Sequence, residues 1–173
     1  MNEQELRRLL ESLQRGEIPV EGALERLRHL PFEDLGFARV DHHRALRHGF
    51  PEVIFGRGKT VAEVTAIAER IIDRTANLLI THATPEMFEA LSARFDGLTH
   101  HARARCVTRC TDATDRGRGT ILIITAGTAD LPVAEEAMVT AQIMGNRVEL
   151  VADVGVAGIH RLLSVREQIA AAS

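Results

Sequence analysis

The residues best suited to chemistry lie in two short stretches rich in small side chains. The first, Thr125-Ala126-Gly127-Thr128-Ala129-Asp130-Leu131-Pro132, follows the apolar run Ile121-Leu122-Ile123-Ile124. Pro132 suits the first turn of a helix, whose outward N–H groups attract a phosphate or carboxylate. Gly127 and Ala129 let a ligand approach the backbone, and Thr128 offers a hydroxyl. Asp130 can accept from a ribose hydroxyl or, equally, cap its own helix. The second stretch, Asp153-Val154-Gly155-Val156-Ala157-Gly158-Ile159-His160-Arg161, follows the next apolar run. Here Gly155, Ala157 and Gly158 surround a titratable pair. His160 suits proton transfer near neutral pH and Arg161 suits anion binding, with a structural role for the pair as the alternative.

Other patterns carry less. Gly58-Lys59-Thr60 resembles the end of a phosphate-binding loop, but position 53, where that motif needs glycine, is Val. Lys59 is therefore expected to be a solvated loop lysine. No three-glycine dinucleotide fingerprint is present. Cys106 and Cys110 are spaced C-x3-C with no second pair, which argues against a structural zinc site. Residues 99–109 read as one extended segment with Arg103, Arg105 and Arg109 on a common face. They could clamp an anion or simply blunt an edge strand.

The elements that must position these residues follow from periodicity. Leu6, Leu9, Leu10 and Leu13 form a helical stripe behind a capping-box pair, Asn2 and Glu5. Gly16 ends that helix, Pro19 opens a second through Leu24, Leu27 and Leu30, and Pro31 closes it. Residues 33–51 are polar and irregular. Beyond them, short apolar runs at Val53–Phe55, Leu78–Ile80, Ile121–Ile124 and Val148–Val151 alternate with helical stretches starting at Thr60, Thr84 and Pro132. A short helix spans about 156–163 and a last one 166–173. This alternation predicts an α/β fold, three-layered with a mainly parallel sheet and an N-terminal helical appendage. We divide it as residues 1–50, helical pair and connecting segment, and residues 51–173, the α/β domain. Right-handed crossovers place every loop after a strand on one sheet edge, which brings the two small-residue stretches together.

Composition narrows the field. The 173 residues are 45% hydrophobic with a formal charge of −3, suited to a folded domain and not to a protein that binds nucleic acid through general basicity. No apolar run approaches the roughly 18 residues needed to cross a bilayer, and the charged N-terminus is unlike a secretory leader. Two cysteines make no disulfide framework, so the expected compartment is the cytoplasm.

Ala126-Gly127-Thr128-Ala129-Asp130-Leu131-Pro132-Val133-Ala134-Glu135-Glu136-Ala137, with Asp153 through Leu163, resembles the LarB family. The stretch Gly36-Phe37-Ala38 through Asp41, Arg44, Arg47 and Gly49, then Pro51-Glu52 to Thr60, is also similar. The likeness runs from about Leu35 to Leu163. LarB proteins in turn resemble PurE, the aminoimidazole ribonucleotide carboxylase or mutase. The PurE Gly-Ser-x-Ser-Asp turn looks like Gly127-Thr128-Ala129-Asp130, one residue shorter. Its Ser-Ala-His-Arg loop looks like Ala157-Gly158-Ile159-His160-Arg161, with two residues interposed.

The LarB resemblance implies a PurE-like, flavodoxin/Rossmann-type fold and a defined reaction. Nicotinic acid adenine dinucleotide is carboxylated at C5 of its pyridinium ring with CO2 or bicarbonate and cleaved to pyridinium-3,5-biscarboxylic acid mononucleotide and AMP, toward the nickel-pincer cofactor of lactate racemase. It implies magnesium and a homo-oligomer, an octamer in the family. It implies substrate contacts at Gly127, Thr128, Ala129, Asp130, Asp153, Gly155, Ala157, Gly158 and Arg161, an acid/base role for His160, and further contacts at Asp41, Arg44 and Arg47. The family's nucleophilic cysteine lies in a more C-terminal part, and neither Cys106 nor Cys110 stands in that position. The chain is accordingly expected to be truncated at its C-terminus. Two other readings stay open: a PurE-like carboxylase, and a non-catalytic nucleotide-binding fragment.

Overall fold

The N-terminal leucine stripe forms α1 (Glu3–Gln14), and Gly16, at a φ of +72°, turns the chain out of it. A computed structural model describes residues 3–28, 32–41, 44, 50 and 52–172. Pro19 precedes α2 (Val20–Arg28), where the Ala23 N–H donates to the Pro19 carbonyl at 3.1 Å. Leu9 and Ala23 are buried, while Leu10 and Leu24 stay exposed. Asn2, the expected cap of α1, and Pro31 lie outside the described residues. The stretch expected to be irregular contains a hairpin of β1 (Phe32–Asp34) and β2 (Arg39–Asp41). Gly36 makes its turn at a φ of +84°, and its N–H donates to Asp34 Oδ1 at 2.8 Å.

Four strands make the first sheet. β3 (Val53–Phe55) runs through α3 (Val61–Ile72) into the parallel β4 (Asn77–Thr81). The expected cap of α3 is present in both halves: Glu63 N–H donates to Thr60 Oγ1 at 3.2 Å, and Thr60 N–H to Glu63 Oε2 at 2.7 Å. Lys59 Nζ donates to the Phe55 carbonyl at 3.0 Å, so this lysine closes its own turn. After α4 (Pro85–Ser92) come β5 (Leu98–His101) and β6 (Cys106–Cys110), an antiparallel hairpin whose second strand inserts beside β4. The order is β3-β4-β6-β5. All five residues of β4 are buried. Leu78 and Ile80 pack with Val64, Ile67, Ile71 and Leu91, and Leu79 faces a second cluster with Cys106, Val139 and Ile143. Period-two alternation thus feeds two cores from one strand.

The second sheet is a βαβ unit: β7 (Thr120–Ile124), α5 (Leu131–Ile143) and β8 (Arg147–Val151), with Ile121 opposite Val148 and Ile124 opposite Val151. α5 packs on both β7–β8 and the β4–β6 face of the first sheet, which explains why it is apolar around most of its circumference. Two short helices follow, α6 (Ile159–Ser164) and α7 (Arg166–Ala171), and α7 packs back on β7. The expected α/β class with parallel strands is therefore present. Its strands segregate into separate sheets, and the segment expected to be one extended run is the β5–β6 hairpin. Arg103 and Arg105 fall in its turn and do not share a strand face with Arg109. Arg103 instead pairs with Glu135 at 2.6 Å, and Arg109 Nε donates to the Asp96 carbonyl at 3.2 Å.

The connection from β6 to β7 is pinned by Asp112. Its carboxyl is held well below the usual range, first by the Thr114 hydroxyl at 2.6 Å, then by Arg116 Nη2 at 2.5 Å and the Thr114 N–H at 3.0 Å. The folded carboxylate binds its proton more weakly than the unfolded one. Its stabilising contribution is complete above the unfolded pKa of about 4 and is lost as pH falls through the folded value. Melting temperatures should therefore decline on acidification below about pH 4. An Asp112→Asn variant should show a shallower decline when the two are melted side by side.

Candidate functional site

The loops after β7 and β8 are joined at the backbone. Thr125 N–H donates to the Val151 carbonyl at 3.0 Å, Val154 N–H to the Thr125 carbonyl at 3.1 Å, and Gly155 N–H to the Ala126 carbonyl at 3.0 Å. The parallel ladder thus continues past the ends of both strands. Thr125 is buried, and its Oγ1 accepts from Asp153 N–H at 3.4 Å. A Cβ on Gly155 would lie 2.8 Å from the Ala126 carbonyl oxygen, so only glycine allows the loops to approach this closely.

In the first loop, Thr128–Asp130 form a single 3-10 turn ahead of α5. The opening amides of such a turn have no carbonyl partner within it. Asp130 resolves its two expected roles in a third way. Its side chain does not cap α5; its Oδ2 accepts from Gly127 N–H at 3.2 Å, closing the turn that contains Thr128 and Ala129. Space around the Gly127 Cβ position is open.

In the second loop, Asp153 adopts a φ of +63°, one of three described non-glycine residues in the left-handed region. Its Oδ2 accepts from Arg161 Nη1 at 2.5 Å. Gly158 lies against that side chain, for a Cβ there would come 2.7 Å from Arg161 Nε. Both partners are about half exposed, so the pair adds little stability but fixes the guanidinium beside the loop. Ala157, between Val156 and Gly158 in a 3-10 turn, is exposed. His160 is exposed and, among the described residues, makes no side-chain hydrogen bond.

The residues named from sequence are thus brought together in large part. Gly127, Thr128, Ala129, Asp130, Asp153, Gly155, Ala157, Gly158, His160 and Arg161 share the edge formed by the two joined loops. Asp41 does not belong to that edge. It ends β2, which packs on α3 of the first sheet, and its N–H donates to the Glu52 carboxylate. Arg44 is exposed, and Arg47 lies outside the described residues. Sequence reasoning missed the parts played by the Thr125 hydroxyl and the Ala126 carbonyl.

Residues 32–111 match the family model described as the LarB/PurE-like N-terminal domain. That likeness covers 80 of the 173 residues. An uncharacterized protein of Methanocaldococcus jannaschii is 31% identical over 166 residues, covering 91% of this chain and 64% of that protein. The chain therefore spans less than two thirds of that relative's length. The family-model match ends before the joined loops.

Among the described residues, no three His, Cys, Asp or Glu side chains gather where they could hold a metal ion, and no helix is long and apolar enough to cross a membrane. The magnesium implied by resemblance thus finds no protein-only site there, and no chemical step is assigned to it. Cys106 is buried, its thiol donating to the Ala104 carbonyl at 3.3 Å, and Cys110 is exposed. Burial, with the Glu136 carboxylate adding to it, pushes the Cys106 thiol up to about 11. A thiol reagent at pH 8 should label Cys110 within minutes and Cys106 only on unfolding. Fast labelling of both in the folded protein would contradict this burial.

Proposed function

We propose that this protein takes part in LarB-type chemistry: binding nicotinic acid adenine dinucleotide, carboxylating its pyridinium ring with CO2 or bicarbonate, and cleaving its pyrophosphate to release AMP. The observation that carries this reading is the joining of the two loops at the sheet edge. The turn Gly127–Asp130 and the loop that holds the Arg161 guanidinium share one sheet edge, which supports a site for anions there. A dinucleotide pyrophosphate needs that combination of free backbone amides and a fixed cation.

The Thr128 and Ala129 amides and the Thr128 hydroxyl bind one phosphate, and Arg161 binds the second. Asp130 keeps the turn in shape while its other oxygen is available to a ribose hydroxyl. His160, exposed at the start of α6, is the acid/base candidate. Neither cysteine serves as nucleophile: Cys106 is buried on the first sheet, and Cys110 ends β6, away from the loop pair.

The test is to incubate the protein with the dinucleotide and 13C-bicarbonate. Bicarbonate-dependent AMP release with a labelled dicarboxylated mononucleotide would establish the reaction, and His160→Ala should then slow it about 100-fold or more. Stoichiometric binding without product would leave a nucleotide-binding role alone. Absence of binding would remove the dinucleotide from the account. AMP release has no place in carboxylation of an aminoimidazole ribonucleotide, so it also separates those two activities.

A further inference from the structure

A second cleft, of about 650 Å³, opens between the first sheet and α5. It is lined on one side by His82 and Arg105 and on the other by Glu136, Thr140 and the apolar Val133, Ala137, Ala141 and Met144 of the α5 segment, with Ile121 of β7 beside them. This volume is in the range of small-molecule sites. None of its residues belongs to the joined loops.

Three observations distinguish it from a bare surface groove. The first is backbone geometry. Apart from Asp153, the described non-glycine residues with positive φ are His82, at +52°, and Arg105, at +50°. The β4–β6 register, Ile80 opposite Val107, sets them across from each other just beyond the ladder, and Ala83 N–H donates to the Arg105 carbonyl at 2.7 Å. Paired left-handed conformations in non-glycine residues cost energy and concentrate at binding sites.

The second observation is His82 itself. Its Nδ1 is fully buried and meets no hydrogen-bond partner, although Glu136 Oε1 lies 3.4 Å away. Its ring rests 4.8 Å from that of Phe55. A buried ring nitrogen without a partner is costly in the free protein, and such orphans mark places where a ligand or water is bound. The third is the charge count. Glu135 is committed to Arg103 and Glu136 faces His82, whereas Arg105 is exposed and makes no ion pair among the described residues.

We propose that this cleft binds a small organic monocarboxylate with a flat apolar body, its carboxylate on Arg105 and His82 and its body along Ala137, Ala141 and Met144. Arg105, without an ion pair among the described residues, supplies a guanidinium for one carboxylate. The apolar α5 wall disfavours a dianion such as phosphate, which would lose its hydration there without repayment.

The experiment titrates the full chain with benzoate, following the His82 ring resonances by NMR, with inorganic phosphate as comparison. Benzoate should shift those resonances in a saturable manner and phosphate should not. Arg105→Gln should weaken benzoate binding about tenfold or more, the loss expected for a charge-assisted hydrogen bond. Ala137→Leu, an exposed position on α5, should block the cleft without altering any charge. Circular dichroism melts check that each variant is folded, and if one fails to fold the other still decides. No saturable response to benzoate, an equal response to phosphate, or undiminished binding in a folded variant would each overturn the assignment.

Discussion

Replacing Asn77 by alanine should lower the melting temperature by about 6–12 °C, the shift expected for a loss of about 3 kcal/mol in a chain of this size. Asn77 is buried at the start of β4, yet its amide ties that strand to two other segments. Its Nδ2 donates to the Asp112 carbonyl at 2.8 Å and the Ile143 carbonyl at 3.4 Å, and its Oδ1 accepts from the N–H groups of Thr111 and Asp112, each at 3.0 Å. Alanine would leave two N–H donors and the end of α5 without partners. Each buried polar group so orphaned costs about 1–3 kcal/mol. Aspartate would not rescue the site, for it keeps the acceptor but loses both donors. A melt within 2 °C of the parent, on the same scale of about 2–4 °C per kcal/mol, would show that packing of Val139 and Ile143 on Leu79 holds α5 without this amide.

The second large effect is expected in the joined loops, where two glycines should behave oppositely. Gly155→Ala brings a methyl to within 2.8 Å of the Ala126 carbonyl oxygen, a backbone atom that cannot swing away. The loops must separate, breaking the bond from Gly155 N–H to that carbonyl, at a stability cost of about 1–3 kcal/mol. Dinucleotide binding should fall at least tenfold, since a displacement of this size is enough to unseat a ligand held by fixed amides. Gly127→Ala meets no atom within 4 Å, and its φ of −141° suits any residue, so its melt should match the parent. Any loss of binding in that variant would then report a phosphate approaching the backbone at Gly127. Loss of stability in Gly127→Ala, or none in Gly155→Ala, would reverse the geometry described for the two loops.

Much of this site could be read in the sequence, and the reason is local. Small residues after an apolar run, a proline in the first turn of a helix and a capping box at Thr60 and Glu63 each declare themselves within a few residues. The joining of the two loops follows from one long-range feature, the parallel pairing of β7 and β8, which sets both strand ends on one edge. The sheet partition did not declare itself, because pairing partners are distant in sequence and the same apolar runs could build one sheet or two. The β5–β6 turn was hidden for a different reason. Ala102-Arg103-Ala104-Arg105 contains none of the usual turn residues, and the positive φ falls on an arginine. The three-residue strands β1 and β2 are too short to show alternation. Asp130 could not be resolved by spacing, since its bond to Gly127 takes one carboxylate oxygen from a cap and leaves the other open to a ligand. The His82–Glu136 pairing joins residues 54 positions apart and leaves no local trace.

The central claim is that the loops after β7 and β8 together bind a dinucleotide, and calorimetric titration of the protein with nicotinic acid adenine dinucleotide tests it most directly. The account predicts one site per chain, with affinity reduced at least tenfold by Gly155→Ala and by Arg161→Ala, each loss corresponding to about 1.4 kcal/mol or more. No binding, or binding that both folded variants leave unchanged, would contradict it.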